Sequence, residues 1–169
     1  MTDAKNPKTL AHEERRRNAR LARSAARLAA VQALYQIEIT KADWRAVVRE
    51  FDEHRLGAEI EGDQYREADP KHFKRTIEHV IENQGQIDQL TDRALVERWP
   101  LGRIDPTLRA VFRAAGAELT ARDDIPPKVV IGEYLDIAKA FFPAGREAGF
   151  VNAVLDHMAR EIRPDAFAE

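Results

Sequence analysis

Asp105-Pro106-Thr107-Leu108-Arg109-Ala110-Val111-Phe112-Arg113-Ala114-Ala115-Gly116-Ala117-Glu118-Leu119 places apolar residues at 108, 111, 112, 115 and 119. That spacing returns to one side of a helix every turn and fits no alternating strand. Asp105-Pro106 reads as an N-cap followed by a proline at the first helical position, and Arg109 and Arg113 flank the stripe. Downstream, Pro126-Pro127 opens a second helix in which Ile131, Leu135, Ala138 and Phe142 are expected to face inward. Pro143–Gly149 reads as a loop, and Phe150, Val151, Val154, Leu155, Met158 and Ile162 form a last helix that Pro164 stops.

Upstream, Pro100-Leu101-Gly102 breaks the chain, and we place a sub-bundle boundary near residue 100. Before it, Asp69-Pro70 starts a helix marked by Phe73, Ile77, Val80, Gln84, Ile87, Leu90 and Leu95, expected to reach Trp99 and to relax at Gly85. Gly57–Ala68 reads as a connecting loop, and Trp44, Val47, Val48 and Phe51 as a short amphipathic helix. The first helix is expected over Arg15–Gln36, with Leu21, Leu28, Tyr35 and Ile39 as its packing line, after a mobile tail over 1–10. The fold class is therefore all-α, with about seven helices in two packed three-helix sub-bundles, 11–100 and 101–163, of a single domain spanning 1–169.

Charge is unevenly spread. Residues 15–27 hold six arginines and no acid, whereas the whole chain is −2, so everything outside that segment sums to −8. Arg16, Arg20, Arg23 and Arg27 are spaced by four, three and four, which puts them in one helical strip about 60° wide. Such a strip suits a polyanion, RNA or DNA phosphate first among them, or else is a solvated face rich in Arg. Tyr35 and Phe150 are core residues or, if brought near the arginines, stacking platforms for unpaired bases.

Other chemistries find no foothold. Without cysteine there is no disulfide, zinc–thiolate site or cysteine nucleophile. Five histidines, at 12, 54, 72, 79 and 157, form no metal-binding motif and are expected on solvated faces, so neither metal nor cofactor is expected. Asp123-Asp124 reads as capping and loop chemistry, and no phosphate loop or nucleophile elbow is present, so no catalytic residue is assigned. Met1–Leu10 lacks an apolar signal region and no later stretch is long enough to span a membrane, which fits a cytoplasmic protein of mean hydropathy −0.52.

Several segments, taken in order, carry a resemblance. These are Ala30-Val31-Gln32-Ala33-Leu34-Tyr35-Gln36 after an arginine-rich start, Arg103-Ile104-Asp105-Pro106 with Arg109–Arg113, Ile125-Pro126-Pro127-Lys128-Val129-Val130-Ile131, Ala138-Lys139, and Phe150-Val151-Asn152-Ala153-Val154-Leu155-Asp156. Across most of Arg23–Ile162 they resemble the NusB family of transcription antitermination factors. The resemblance implies binding of boxA RNA together with the ribosomal protein NusE, joining RNA polymerase and other Nus factors during transcription of ribosomal RNA operons. It implies an RNA surface at Arg16, Arg20, Arg23, Arg27, Gln32, Tyr35, Lys139 and Phe150, and a partner surface at Leu108, Arg109, Phe112 and Arg113. Phe150–Leu155 also resembles the NusB-like domain of ribosomal RNA cytosine methyltransferases; with no cofactor-binding βαβ unit before Glu169, a stand-alone enzyme is not expected. A helical adaptor that binds no RNA is the third reading.

Overall fold

The structure is a computed structural model that describes residues 6–56, 59–60, 63–64, 68–95, 104–143 and 145–168. Among these residues run six α-helices: α1 (Pro7–Thr40), α2 (Trp44–His54), α3 (Pro70–Ala94), α4 (Pro106–Ala121), α5 (Pro127–Phe141) and α6 (Glu147–Ile162), followed by a 3-10 turn at Pro164–Phe167. Within the expected connecting loop, Glu59–Ile60 and Asp63–Gln64 form a two-residue antiparallel ladder, too small to alter the all-α class. The expected boundary near residue 100 lies outside the described residues, as do residues 1–5 of the expected tail.

Helix starts follow the capping signals. Asp105 accepts from the Thr107 amide at 2.7 Å, and Asp69 from the His72 amide at 3.0 Å, each with proline at the next position. Asn6 does the same for Lys8 at 3.1 Å, so α1 begins at Pro7 rather than Arg15, and Pro7–Leu10 are helix, not tail. At the other end of α1, Lys41 takes a left-handed φ of 57° and donates its amide to the Ile37 carbonyl at 2.9 Å.

Helix α4 is the hub, packed by α1, α3, α5 and α6. Its Ala110, Ala114, Ala115, Gly116 and Ala117 are buried beside Leu108, Val111, Phe112 and Leu119, and such small side chains let neighbouring helices come close. At Gly116 the approach is closest: an added Cβ would stand 2.6 Å from Ile87 Cγ2 and 3.2 Å from Met158 Cε. Arg163, just after α6, closes the lower end of the hub. Its guanidinium donates to the carbonyls of Leu119 at 2.7 Å, Glu118 at 3.1 Å and Ile125 at 2.5 Å, and to that of Arg122. The Leu119 carbonyl at the end of α4 thus finds a donor, and those of Glu118 and Arg122 gain a second.

Four expectations are corrected. In α3 the break falls at Asn83 (φ −126°, ψ 18°), not Gly85, because the Asn83 amide bonds the His79 carbonyl at 3.0 Å and competes with the helix ladder. That helix ends at Ala94, as Leu95 turns extended (ψ 139°), and residues 96–99 of the expected run lie outside the described residues. In α5 the fully interior stripe is Val130, Ile131, Tyr134, Ile137 and Ala138, so Leu135 and Phe142 are only half-buried. Helix α6 begins at Glu147, one turn before Phe150, within the expected loop.

Candidate nucleic-acid interface

On α1 the expected packing line is not the buried face: of its four residues, Leu21 alone is half-buried. Ala26, Ala29, Ala30, Val31, Ala33 and Leu34 form the buried face, while Leu28, Tyr35 and Ile39 are 37%, 41% and 53% exposed. Alanine packs a helix closely against another, and that outweighs the larger side chains of the opposite line. The arginine strip lies on the side of this buried face that carries Val31 and Leu34. Its fate therefore changes along the helix: Arg16 and Arg20 are exposed where α1 runs past the body, Arg23 is half-buried, and Arg27 is 2% exposed.

Arg27 consequently leaves the proposed contact set. Its Nε lies 2.9 and 3.1 Å from the two Glu118 oxygens, its Nη2 donates to Oε1 at 3.0 Å, and its Nη1 lies 3.5 Å from Glu133. His72 joins them from α3, with Nε2 3.0 Å from Glu118 Oε1 and Nδ1 3.4 Å from Arg122 Nη1. That pattern suits hydrogen on Nε2, and it places His72 in the interior rather than on the expected solvated face. Burial alone would raise the Glu118 carboxyl, but the adjacent His72 and Arg27 donors, with the charge of the Arg27 guanidinium, bring it down to about 2. Burial pushes the Tyr134 phenol beside this node well up, and the Glu118 charge adds to the effect. One interior polar node thus ties α1, α3, α4 and α5.

The surface above the node runs along the seam between α1 and α5. At one end a groove of about 390 Å³ is bordered by Arg20, Arg23, Arg122, Pro126 and Val129, with Arg27 and Glu133 in its lining. Beside it, Ser24 Oγ donates to Glu133 Oε2 at 2.8 Å and holds the helices together. At the other end a groove of about 400 Å³ is lined by Gln32, Tyr35, Ile39, Arg55, Thr107 and Phe141. Lys139 is exposed on α5, two residues before Phe141. Phe150 is half-buried, its ring meeting Phe112 edge-on at 6.1 Å. Among the described residues, Arg16, Arg17, Arg20 and Arg23 make no ion pair.

Sequence reading missed Arg55, Thr107, Arg122 and Phe141. Only Phe141 carried a signal, since Phe141-Phe142 cannot both face inward on one helix. Asp124 also differs from its expected capping role: it pairs with Arg122 at 3.0 Å, which brings its carboxyl down to about 2.

The expected partner surface on α4 is corrected as well. Leu108 and Phe112 belong to the core, on the sides of α4 that its neighbouring helices cover. Arg109 donates Nε to Glu38 at 2.8 Å, and Arg113 bonds Asp88 at 3.0 Å through both Nε and Nη2 and reaches Glu38 at 3.4 Å. These half-buried pairs tie α4 to α1 and α3. Among the described residues no group of three or more His, Asp or Glu could hold a metal ion, and no helix is long and apolar enough to cross a membrane.

Fold and site define a class: an all-helical scaffold that carries a cationic groove and an exposed aromatic groove along one seam. The NusB family matches residues 24–160. A transcription antitermination protein NusB from Rhodopseudomonas palustris (strain HaA2) is 47% identical over 170 residues, covering 99% of this chain and 98% of its own. T. maritima NusB superposes with a TM-score of 0.70 at 32% identity, over 86% of this chain and 96% of that one. The fold is also shared by a chain from a crystal structure of antitermination factors NusB and NusE in complex with dsRNA. That likeness has a TM-score of 0.67 at 21% identity, over 83% of this chain and 97% of the other. The chain belongs to the NusB family.

Proposed function

We propose that this chain is a non-enzymatic RNA-binding antitermination factor of the cytoplasm. It recognises boxA RNA together with ribosomal protein NusE and, with RNA polymerase and other Nus factors, supports processive transcription of ribosomal RNA operons. The observation that carries this reading is the α1–α5 seam, which sets unpaired Arg20 and Arg23 at one end and exposed Tyr35, Gln32 and Phe141 at the other. A single strand needs both halves: cations for its phosphates and aromatic faces for its unpaired bases. From Arg20 to Tyr35 the seam extends about 22 Å at 1.5 Å per residue.

Within this reading Arg16, Arg20, Arg23 and Lys139 meet phosphates, Gln32 and Tyr35 meet bases, and Phe150 flanks the site. Arg27 acts from beneath by fixing the direction of α1. NusE docks on the carboxy-terminal bundle beside the Glu38–Arg109–Arg113–Asp88 chain of ion pairs. Reversing the charge of Arg109 or Arg113 therefore weakens the fold as well as the association, because each guanidinium has an internal partner. The test is retention of boxA RNA by the purified protein at low salt, with and without NusE. Binding that strengthens with NusE supports the reading; no retention in either case overturns it.

A further inference from the structure

The cationic groove at the α1–α5 seam holds two carboxylates among its positive side chains, and they are not equivalent. Both oxygens of Asp124 are taken by Arg122, whose Nε and Nη2 donate to them at 3.0 Å each. Glu133 engages one oxygen only. Its Oε2 accepts from Ser24 Oγ at 2.8 Å and lies 3.5 Å from Arg27 Nη1, whereas Oε1 accepts no hydrogen bond among the described residues. The side chain is 31% exposed and lines the groove. One acceptor is thus held in direction by two neighbours and left open to a ligand.

An open carboxylate oxygen is the wrong chemistry for a phosphate, which it repels. Phosphates belong on the rim, where Arg20 and Arg23 make no ion pair among the described residues. What an acceptor inside such a rim fits is a hydrogen-bond donor carried by a polyanion, and a nucleobase supplies one. The surroundings suit a flat ring. Pro126 and the 46%-exposed Val129 are apolar, and the Arg122 guanidinium is fixed by Asp124, the kind of plane on which unpaired bases stack. The groove, at about 390 Å³, falls within the ~300–1,000 Å³ of small-molecule sites.

We propose that Glu133 selects an unpaired base in this groove by accepting a hydrogen bond from its exocyclic amino group, so that cytosine and adenine are taken in preference to uracil. This rests on the RNA reading above and deepens it, because arginines that meet phosphates carry no sequence information. Cytosine N4 and adenine N6 each bring an N–H to the carboxylate; uracil brings the O4 acceptor where cytosine has N4, and two oxygens then face each other. Ser24 and Arg27 are positioning residues: they fix the Oε2 side and so set the direction of Oε1.

The experiment measures affinity of the full chain at low salt for three short oligo(U) strands that carry U, C or A at one central position, with boxA RNA as a parallel probe. The native chain should bind the C and A strands about 10-fold tighter than the U strand. In Glu133→Gln the side-chain oxygen can still accept from Ser24 while the amide N–H groups turn to the groove, so the preference should reverse toward uracil O4. Ser24→Ala keeps the charge but releases its direction, and should shrink the ratio without reversing it. A glutamate that served the fold alone would lower affinity for all three strands alike and leave their ratio unchanged. Preference for only one of the amino bases, lost in Glu133→Gln, supports the proposal and identifies the base the groove holds. Equal affinities of the native chain for the three strands overturn it, as does a ratio that survives Glu133→Gln; retention of boxA RNA then leaves the RNA reading standing. No retention of any oligo(U) strand overturns it too, and the boxA probe shows whether the RNA reading falls with it.

Discussion

Arg27 and Arg20 occupy the same sector of one helix, two turns apart, and do opposite things. Arg27 is sealed into an ion pair with Glu118, while Arg20 stands in solvent with no ion-pair partner among the described residues. What separates them is where α4 and α5 end, not anything in α1 itself. A sequence strip is thus a geometric fact about a helix, and its chemistry is decided by what the helix runs past.

The largest effect expected from this contrast is on stability. Arg27→Ala leaves Glu118 buried without its main counter-charge and should cost about 3–5 kcal/mol, against little or nothing for Arg20→Ala. Urea unfolding of both variants measures the difference, and similar midpoints would erase the distinction between the two positions.

Acid should reveal the same pair. Glu118 is lowered from its ordinary 4.5 to about 2 in the folded state, so its contribution is fully present above pH 4.5 and is lost as pH falls from there to about 2. Glu118→Gln should be less stable at neutral pH and should lose less stability across that acid window. A pH series of unfolding curves in which both proteins fall in parallel below pH 4.5 would assign the loss to other carboxylates.

Next comes the exposed side of α1. Tyr35→Ala should weaken RNA binding by ~1–3 kcal/mol if a base stacks on the ring. Its thermal midpoint should barely move, because the residue lies outside the core. A large fall in midpoint with RNA affinity unchanged would return Tyr35 to a packing role. The smallest effect is at the boundary, where Arg23 is half-buried: Arg23→Ala should flatten the salt slope by about 0.7 and lower affinity for all RNA sequences alike. An unchanged slope would move the division between the two regimes outward, to Arg20.

How much of this was legible follows from the same helix. The helical period and the Asp-Pro starts at 69 and 105 are local signals, and the structure keeps them. Which side of α1 packs is not local. Alanine gives little signal in a hydrophobic pattern, yet Ala26, Ala30 and Ala33 are fully buried because the hub helix α4 is itself lined with alanine and glycine. Helix α5 poses the same problem: apolar residues at 129–131, 134–135, 137–138 and 141–142 allow two adjacent stripes, and only contact with α4 and α6 selects the one through Tyr134. Of the site, Tyr35 and the arginines were readable from residue type, whereas Thr107, Arg55 and Arg122 reach the grooves only through tertiary packing.

The grip of Arg163 on four carbonyls has a consequence for the entropy of binding. Because those carbonyls belong to Glu118, Leu119, Arg122 and Ile125, the turn from α4 to α5 is fastened to the end of α6. That turn supplies Arg122 and Pro126 to one wall of the cationic groove. A ligand entering there meets a wall whose conformational freedom was already surrendered in folding, so little ordering is left to oppose association on that side. The opposite wall, α1, is likewise held where Ser24 bonds Glu133, so the freedom left to lose on that side is that of the exposed Arg20 side chain one turn further out.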